Sequence, residues 1–301
     1  MGLGAIDKRS FAIIGSTGFL GPYLVASLLA KCSCAVIFCI NRGLTGEQRT
    51  LSDLRRIRKH KLGEGRLNFV TADITKSGSG LTRKTLAAVL ANVDEDPTDA
   101  MAHGYGKSKW YAEEMLSKAC SEGSLRVAII RAGQIGGPST AKYGHWPVQG
   151  WIYSIIKASR KQGFWPAHVQ SLDWIPVDAL AEGVAAISHI PQQTECVEVY
   201  NMVHTSPVPW SVLFATLRDR FDINLTEIGL PEWLSLMDAR ALKLYPFLQA
   251  AGRGRECDMT FATTNASRFL PRVEPISIDR LEYWLKGWNL VSDHACDKAR
   301  L

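Results

Sequence analysis

Tyr105 and Lys109 are spaced for joint proton transfer, because residues four apart lie on the same face of a helix. A lysine ammonium beside a phenol stabilises the phenolate. This suits the phenol to exchange a proton with a carbonyl or alkoxide oxygen. A surface helix that happens to carry an aromatic and a basic residue gives the same spacing, so the pair needs support from elsewhere in the chain.

A glycine-rich stretch at residues 15–21 supplies that support. It follows an apolar, strand-like segment at residues 11–14 and precedes apolar residues at helical spacing. Gly15 permits a tight turn, Gly18 lets a pyrophosphate approach the backbone, and Gly21 lets the helix pack closely on the strand. The free N–H groups and positive dipole of the helix N-terminus favour phosphates. The sequence therefore predicts a dinucleotide site, with a ligand-free glycine turn as the other interpretation.

The end of the second predicted strand indicates which dinucleotide is bound. Residues 35–40 are continuously apolar, which is typical of a strand buried on both faces of a parallel sheet. An acid after this strand binds the ribose 2′-OH, whereas an arginine accommodates a 2′-phosphate. Arg42 follows this strand and no acid is present, so we predict NADPH. Asp73, after the third predicted strand, is expected to reach the adenine amino group or to cap the next turn.

The composition of the 301 residues is ordinary for a soluble globular protein, with a formal charge of +6. A basic run at residues 55–61 has no interleaved aromatic residues, so we expect a solvated helix face and no nucleic-acid partner. No apolar run is long enough to span a bilayer and Met1 begins no signal-peptide pattern, so no membrane partner is expected. Seven cysteines without paired metal-like spacing predict a cytoplasmic protein with no metal site.

Two lobes are predicted. Residues 1–135, with residues 176–205 returning to them, form an NADP-binding domain. Residues 136–175 and 206–301 form the substrate lobe. The stretch from residue 139 to residue 174 is rich in tryptophan. We expect these tryptophans either to line an acyl or pantetheine channel or to pack one lobe on another.

The motifs resemble, in order, those of the thioester reductase (reductive release) domains of nonribosomal-peptide-synthetase-like enzymes and carboxylic acid reductases. These are extended short-chain dehydrogenase/reductases. The matching stretches are residues 15–21, 41–42, 72–74, 104–113, 131–136, 173–178 and 200–210. The resemblance implies NADPH-dependent reduction of an acyl or aminoacyl thioester, held on the phosphopantetheine arm of a carrier domain, to an aldehyde. It also implies that Tyr105 and Lys109 work with a serine or threonine that polarises the carbonyl.

The chain departs from this family between Asp73 and Tyr105. A doubly wound fold needs two strands and a crossover helix there, and a βαβ unit takes about 30 residues. Residues 74–104 show one helical pattern and one acidic loop, so a segment has been lost near Asp94. We expect the strand at residues 11–14 to lack a neighbour on one side, and catalysis to suffer from loss of the serine or threonine. Neither Thr98 nor Ser108 is assigned that role.

The predicted fold is thus α/β: a Rossmann-type doubly wound parallel sheet that lacks its middle strands, with a smaller, mainly helical C-terminal substrate lobe. The predicted function is NADPH-dependent thioester reduction. The alternatives are an extended short-chain enzyme acting on a nucleotide sugar or acyl-CoA, and a silent NADP-binding protein or incomplete gene product. The predicted catalytic residues are Tyr105 and Lys109. The predicted cofactor-binding residues are Gly15, Thr17, Gly18, Phe19, Leu20, Gly21, Arg42, Asp73, Tyr105 and Lys109.

Overall fold

The computed structural model describes residues 10–32, 35–57, 65–72, 104–122, 127–190, 197–236, 248–249 and 261–290. For residues 104–108 it describes the backbone only. The chain divides into two compact units. The first comprises residues 1–131, 181–202 and 264–269, and the second comprises residues 132–180, 203–263 and 270–301. Among the described helices, none is long and apolar enough to cross a membrane.

A three-stranded parallel sheet opens the first unit. Its strands are β1 (Ser10–Ile14), β2 (Val36–Asn41) and β3 (Leu67–Thr71), in the order β1-β2-β3. Helix α1 (Gly21–Lys31) joins β1 to β2, and α2 (Gly46–Ile57) follows β2. Helix α2 contacts α1, β2 and β3. This β-α-β-α order with parallel pairing is the predicted Rossmann-type arrangement, which is confirmed for this part of the chain.

Within the described part of the chain, one face of this sheet is buried and the other is partly exposed. Ile13, Ile37 and Cys39 point to the helices and are buried. On the other face, Ile14 is 62% exposed, Phe38 38% and Val70 41%. The prediction that the second strand is buried on both faces is therefore wrong. An apolar run predicts burial only if elements exist to cover both faces, and here one face stays open to solvent.

Strand β1 lies at an edge of this sheet within the described part of the chain. It pairs with β2 from Ser10↔Val36 to Ile14↔Ile40, and the sheet ends at β1 on its other side. In a doubly wound sheet the first strand is central and pairs on both sides. The expected loss of its neighbour is thus seen among the described residues, whereas residues 73–103, where the loss was predicted, lie outside them.

The rest of the first unit is built on α3 (Gly104–Ser121), β4 (Ala128–Ala132), β8 (Glu198–Met202) and α8 (Thr264–Ser267). Strands β4 and β8 form a separate two-stranded sheet. Cys120 of α3 packs with Val127 and Ile129, and Val197 and Val199 extend this small core. Helix α3 is therefore fixed through its C-terminal turns.

The second unit contains short parallel strand pairs and helices. Strand β5 (Ile135–Gly136) pairs with β7 (Ile175–Pro176), and β6 (Phe164–Pro166) pairs with β9 (Thr226–Ile228). Its helices, in chain order, are α4 (Gly150–Gln162), α6 (Ser211–Phe221), α7 (Leu230–Ser235) and α9 (Ile278–Leu285). Helix α5 (Val177–Ile187) begins in this unit and continues into the first, which takes up the chain again at residue 181. Helices α6 and α9 pack together. Asp178, at the start of α5, accepts hydrogen bonds from the backbone N–H (2.8 Å) and hydroxyl of Ser139.

Tryptophan side chains form the core of this second unit. Trp146, Trp165 and Trp174 are at most 1% exposed. The ring centroid of Trp146 lies 5.2 Å from those of Trp174 and Trp284, and the indole of Trp284 donates to the carbonyl of Pro138 at 2.9 Å. At Gly137 a Cβ atom would lie only 2.4 Å from the Trp284 ring. These rings pack within the second unit, so the structure gives them a place in its core, whereas the sequence interpretations were a channel or packing of one lobe on another.

His204 is a buried histidine that ties two segments of the second unit. The backbone N–H of Ser206 donates to Nδ1 at 3.0 Å, so Nε2 carries the proton and donates to the carbonyl of Glu274 at 3.1 Å. Burial lowers the pKa of His204 below its ordinary value, and the nearby Arg280 acts in the same direction. The carbonyl of Glu274 and the carboxylate of Asp173 partly oppose this shift.

The open sheet face predicts that polar substitutions there are tolerated. Phe38→Thr and Val70→Thr, made together, should change the free energy of unfolding by less than about 1 kcal/mol and lower the binding of the dye ANS. Ile37→Thr, on the covered face of the same strand, should cost about 2–4 kcal/mol. Urea unfolding and dye fluorescence measure these effects. If the double variant lost as much free energy of unfolding as Ile37→Thr, this would contradict an open face.

The His204 environment predicts loss of stability in mild acid. Below pH 6.5, the ordinary pKa of histidine, the unfolded chain binds a proton that folded His204 does not, so the free energy of unfolding falls as the pH falls. In His204→Gln this contribution is absent, and the pH dependence between about pH 5 and pH 7 should be shallower. Urea midpoints across this range test the difference. Equal slopes in both proteins would show that His204 takes up its proton as easily folded as unfolded.

Candidate functional site

The glycine turn between β1 and α1 is closed by three backbone hydrogen bonds. Gly15 has φ = +82°, in the left-handed region that favours glycine, as the sequence predicts for a tight turn. Its N–H donates to the carbonyl of Ile40 at 2.8 Å. The N–H of Gly18 donates to Gly15 at 3.0 Å, and that of Gly21 donates to Gly18 at 3.1 Å. The turn thus starts at the carboxyl ends of β1 and β2, where ligands bind in open α/β sheets.

Gly21 is needed because the turn folds back on the start of the helix. A Cβ atom there would lie 2.6 Å from the carbonyl carbon and oxygen of Ser16. The sequence predicts close packing of the helix on the strand at this position. The tight contact is instead with Ser16, inside the turn itself.

The first turn of α1 presents an N-terminus without a side-chain cap. Leu20 precedes the helix in helical conformation (φ = −75°, ψ = −31°), and Pro22 occupies the first turn. The first turn contains no acidic residue, so no side-chain charge there offsets the positive end of the helix dipole. Phe19 packs edge-on against Tyr23, with ring centroids 6.0 Å apart. This arrangement suits an anion, and phosphate is the common one.

Asn41, the last residue of β2, holds the turn through its side chain. Its Nδ2 donates to the hydroxyl of Ser16 at 2.8 Å. Its Oδ1 accepts from both the N–H and the hydroxyl of Thr17 at 3.3 Å. The hydroxyl of Ser16 is also bonded to that of Thr50 on α2, at 2.9 Å. Sequence reasoning missed this role of Asn41, because the partners of a buried amide are set by packing.

The described side chains that share hydrogen bonds in this network are uncharged. Ser16 and Thr50 are fully buried, and Cys39 lies two residues before Asn41 on the same face of β2. Burial raises the pKa of the Cys39 thiol, and its hydrogen bond with Ser16 only partly offsets this. The base of the turn is thus a neutral, desolvated environment in which ionisation is unfavourable.

Arg42 and Leu44 are exposed in the loop after β2, so the Arg42 guanidinium is open to solvent. The backbone N–H of Ala72 donates to the carbonyl of Asn41 at 3.0 Å, which holds the end of β3 beside this loop. Asp73, the next residue, lies outside the described residues, so its predicted contact with adenine stays a prediction.

Tyr105 and Lys109 lie on α3, one turn apart. Lys109 is exposed, and the Tyr105 side chain lies outside the described residues. One turn further on, Glu113 accepts from Arg131 on β4, with N···O distances of 3.1, 3.0 and 2.5 Å. This two-pronged ion pair joins the helix to the end of a strand. Thr98 lies outside the described residues, as does the side chain of Ser108.

Tyr200 is the buried tyrosine of β8, and its environment makes it unfit for proton exchange. Its hydroxyl donates to the Glu198 carboxylate at 2.5 Å. Burial, followed by the charge and hydrogen bond of Glu198, raises the pKa of Tyr200 to about 12.

The structure thus brings the glycine turn, the end of β2 and the start of α2 together. The N–H of Gly15 donates to the carbonyl of Ile40, and Thr17 is bonded to the side chain of Asn41, the residue before Arg42. Tyr105 and Lys109 share one helix of the same unit. The arrangement offers a helix N-terminus, a glycine turn and an exposed arginine to a phosphorylated ligand.

Comparison with known proteins identifies a family. The chain matches the model of the NAD-binding family described as Male sterility protein over residues 13–95 and 94–184. The two matches meet at Asp94 and Glu95, where the sequence predicts the loss of a segment. Together they span more than half of the chain.

Curated relatives are reductases of larger size. The adenylate-forming reductase Nps10 of Heterobasidion annosum is 32% identical over 302 residues, covering 77% of this chain and 27% of the relative. The carboxylic acid reductase of Neurospora crassa is 20% identical over 374 residues, covering 95% of this chain and 35% of the relative. The chain thus spans about a third or less of the length of these relatives. The second alignment is longer than the 301 residues of the chain itself, so the relative carries residues without a counterpart here.

Solved structures share the fold. The terminal R domain of the myxalamid PKS-NRPS pathway superposes with a TM-score of 0.68 at 19% identity, covering 96% of this chain and 91% of that one. The reductase domain of the aureusimine biosynthetic cluster gives a TM-score of 0.66 at 12% identity, with coverages of 95% and 91%. A UDP-glucuronic acid 4-epimerase of Bacillus cereus superposes with a TM-score of 0.57 at 14% identity, covering 92% of this chain and 98% of that one. With its motifs in the predicted order and this family match, the chain belongs to the NAD-binding Male sterility protein family, and its likeness to reductases confirms the predicted resemblance to thioester reductase domains.

Proposed function

We propose that the chain reduces a carrier-bound acyl or aminoacyl thioester to an aldehyde with NADPH. The observation that carries this proposal is the glycine turn, bonded to the end of β2 and followed by the exposed Arg42. The reductases among the relatives support the reaction class. A solved thiolation-reductase di-domain from an archaeal nonribosomal peptide synthetase, with a TM-score of 0.68 at 14% identity, supports a carrier partner.

The cofactor would be held by groups of the first unit. The α1 N-terminus and the backbone of residues 15–21 would hold the pyrophosphate, and Arg42 would bind the 2′-phosphate. The residues present fit such a group, because the turn has the glycine conformation it requires and the arginine is open to solvent. When bound, NADPH supplies a hydride to the thioester carbon.

Tyr105 and Lys109 would serve the acyl oxygen. Tyr105 donates a proton to the oxygen as it gains negative charge, and Lys109 stabilises the resulting phenolate and holds the nicotinamide ribose. The ion pair between Glu113 and Arg131 anchors the helix that carries both residues. The thiol then leaves when the hemithioacetal collapses to the aldehyde.

Turnover is expected to be slow for this family. The serine or threonine that would polarise the carbonyl has no assigned counterpart in the chain, and one missing donor of this kind costs roughly 10²–10³ in rate. A cofactor-binding protein with very low activity is therefore the second candidate function. The edge position of β1 among the described residues favours this second candidate. Strand β1 leads into the glycine turn, and a strand paired on one side only gives that turn less support.

The reductase proposal predicts the following outcome. Purified protein with NADPH and acyl-pantetheine thioesters should form aldehyde, trapped as a hydrazone, whereas UDP-sugars should give no oxidation of NADPH. Tyr105→Phe should lower kcat roughly 10²–10⁴-fold, because the proton donor is lost. Tyr111→Phe, on the same helix, is the matched control and should keep wild-type activity. Full activity in Tyr105→Phe would refute the role assigned to Tyr105. If the protein bound NADPH but reduced none of the thioesters, the cofactor-binding protein with very low activity would be favoured.

Coenzyme preference tests Arg42 separately from catalysis. Arg42→Ala should raise the Kd for NADPH by roughly 10–100-fold and leave that for NADH nearly unchanged, because an ion pair to the 2′-phosphate is lost. Arg55→Ala, an exposed arginine of α2, is the control and should change neither value by more than about twofold. Isothermal titration calorimetry gives these constants without turnover. If Arg42→Ala weakened the binding of NADPH and NADH equally, Arg42 would not be the residue that binds the 2′-phosphate.

A further inference from the structure

We propose that Arg131 is a positioning residue for proton transfer: it holds the carboxylate of Glu113 and so keeps that carboxylate from drawing the ammonium of Lys109 away from its task. This inference rests on the proposed function, because it concerns the lysine of that site. It gives the ion pair between Arg131 and Glu113 a role beyond holding the helix in place.

The spacing along α3 gives Lys109 two polar neighbours that compete for its ammonium. Side chains three or four positions apart on a helix are neighbours. From Lys109 these positions hold Tyr105, Gly106, Ala112 and Glu113. Of these side chains, only the phenol, one turn before the lysine, and the carboxylate, one turn after it, can accept from an ammonium. An unrestrained carboxylate would attract it more strongly than a neutral phenol, because the carboxylate carries a full negative charge.

The guanidinium of Arg131 occupies both oxygens of this carboxylate. Its Nε donates to Oε1 of Glu113 at 3.1 Å and to Oε2 at 3.0 Å, and its Nη2 donates to Oε2 at 2.5 Å. A planar guanidinium matches a carboxylate in this way, whereas an ammonium interacts as a point charge. The charge of Glu113 is therefore compensated by a group on β4, on a different element from Lys109.

Helix anchoring alone does not require this ion pair. Cys120, near the end of α3, already packs with Val127 and Ile129 in a small core of the first unit. The side chain of Arg131 is 55% exposed and that of Glu113 is 26% exposed. Ion pairs with this much exposure contribute little to stability. Control of a carboxylate one turn from the catalytic lysine accounts for the pair better than stability does.

The test uses substitutions in the full chain. Arg131→Met removes the guanidinium and leaves Glu113 charged, whereas the double variant Arg131→Met/Glu113→Gln removes both charges. Arg131→Met/Glu114→Gln is the matched control, because Glu114 is exposed and is not at contact spacing from Lys109. Arg218→Met, which breaks an ion pair of similar exposure in the second unit, is a further control.

Two quantities are measured: kcat for an acyl-pantetheine thioester with NADPH, and the Kd values of NADPH and NADH by isothermal titration calorimetry. Arg131→Met should lower kcat and raise both Kd values about fivefold, because the lysine serves both the phenol and the nicotinamide ribose. These losses should shrink at high salt. Adding Glu113→Gln should return both quantities to within about twofold of the wild type. Adding Glu114→Gln should restore nothing, and Arg218→Met should match the wild type.

A merely structural role predicts a different pattern. If the ion pair only anchored α3, Glu113→Gln would break it as fully as Arg131→Met, and the double variant would be no better than either single variant. That result would overturn the proposal. The lysine provides a second check, because Arg131→Met should have no further effect on the Kd values in a Lys109→Met background. A further loss as large as in the wild-type background would also overturn the proposal.

The remaining outcomes separate this inference from the proposed function. If the protein bound NADPH without turnover, the Kd values would decide the role of Arg131. If Arg131→Met matched the wild type in kcat and Kd, the inference would fail while the proposed function stood. If the wild-type protein bound neither coenzyme and reduced no thioester, both would fail together. Thermal melts check folding, and if Arg131→Met did not fold, Arg131→Lys, which cannot form the two-pronged pair, takes its place in each comparison.

Discussion

The hydrogen bonds between Asn41 and the glycine turn are the interaction on which the conformation of the proposed phosphate site depends. They join the end of β2 to Ser16 and Thr17, and the Ser16 hydroxyl extends the network to Thr50 on α2. A glycine turn has many accessible conformations, so something outside it must select one. Buried polar networks do this well when every member has a partner, because the low local dielectric makes an unmade bond costly. Here β1, β2 and α2 meet at one such network.

The same sheet has an open apolar face and a strand β1 that lies at its edge in the described part of the chain. In parallel sheets both faces are normally covered by helices. One βαβ unit supplies both a strand for the edge and a helix for the face, so the absence of a segment that the relatives carry accounts for both observations. The family match, which divides at Asp94 and Glu95, locates the absent segment.

Local patterns were sufficient to predict part of this structure. The strand, glycine turn and helix at residues 11–29 follow from a short apolar run, glycine spacing and helical periodicity, and the structure confirms them. Asn41 bonds to Thr17 and Ser16, which lie 24 and 25 positions away along the chain. Ser16 in turn bonds to Thr50, 34 positions away. No local sequence pattern encodes contacts of this kind. The prediction that β2 is buried on both faces was wrong for a related reason. An apolar run such as residues 35–40 gives the preference of a strand for burial, but not whether a covering element exists. Composition likewise could not distinguish a tryptophan-lined channel from the packed core in which Trp146 lies.

These differences have a consequence for how the chain would work. The described contacts that shape the glycine turn all fall within residues 11–72. Such a site needs little from the rest of the sheet. Catalysis is more demanding, because a proton donor displaced by about 1 Å loses much of its effect. Loss of a segment after residue 73 thus affects the two tasks unequally. We therefore expect coenzyme binding and turnover to be separable in this chain, and binding is the property that its described contacts support most directly.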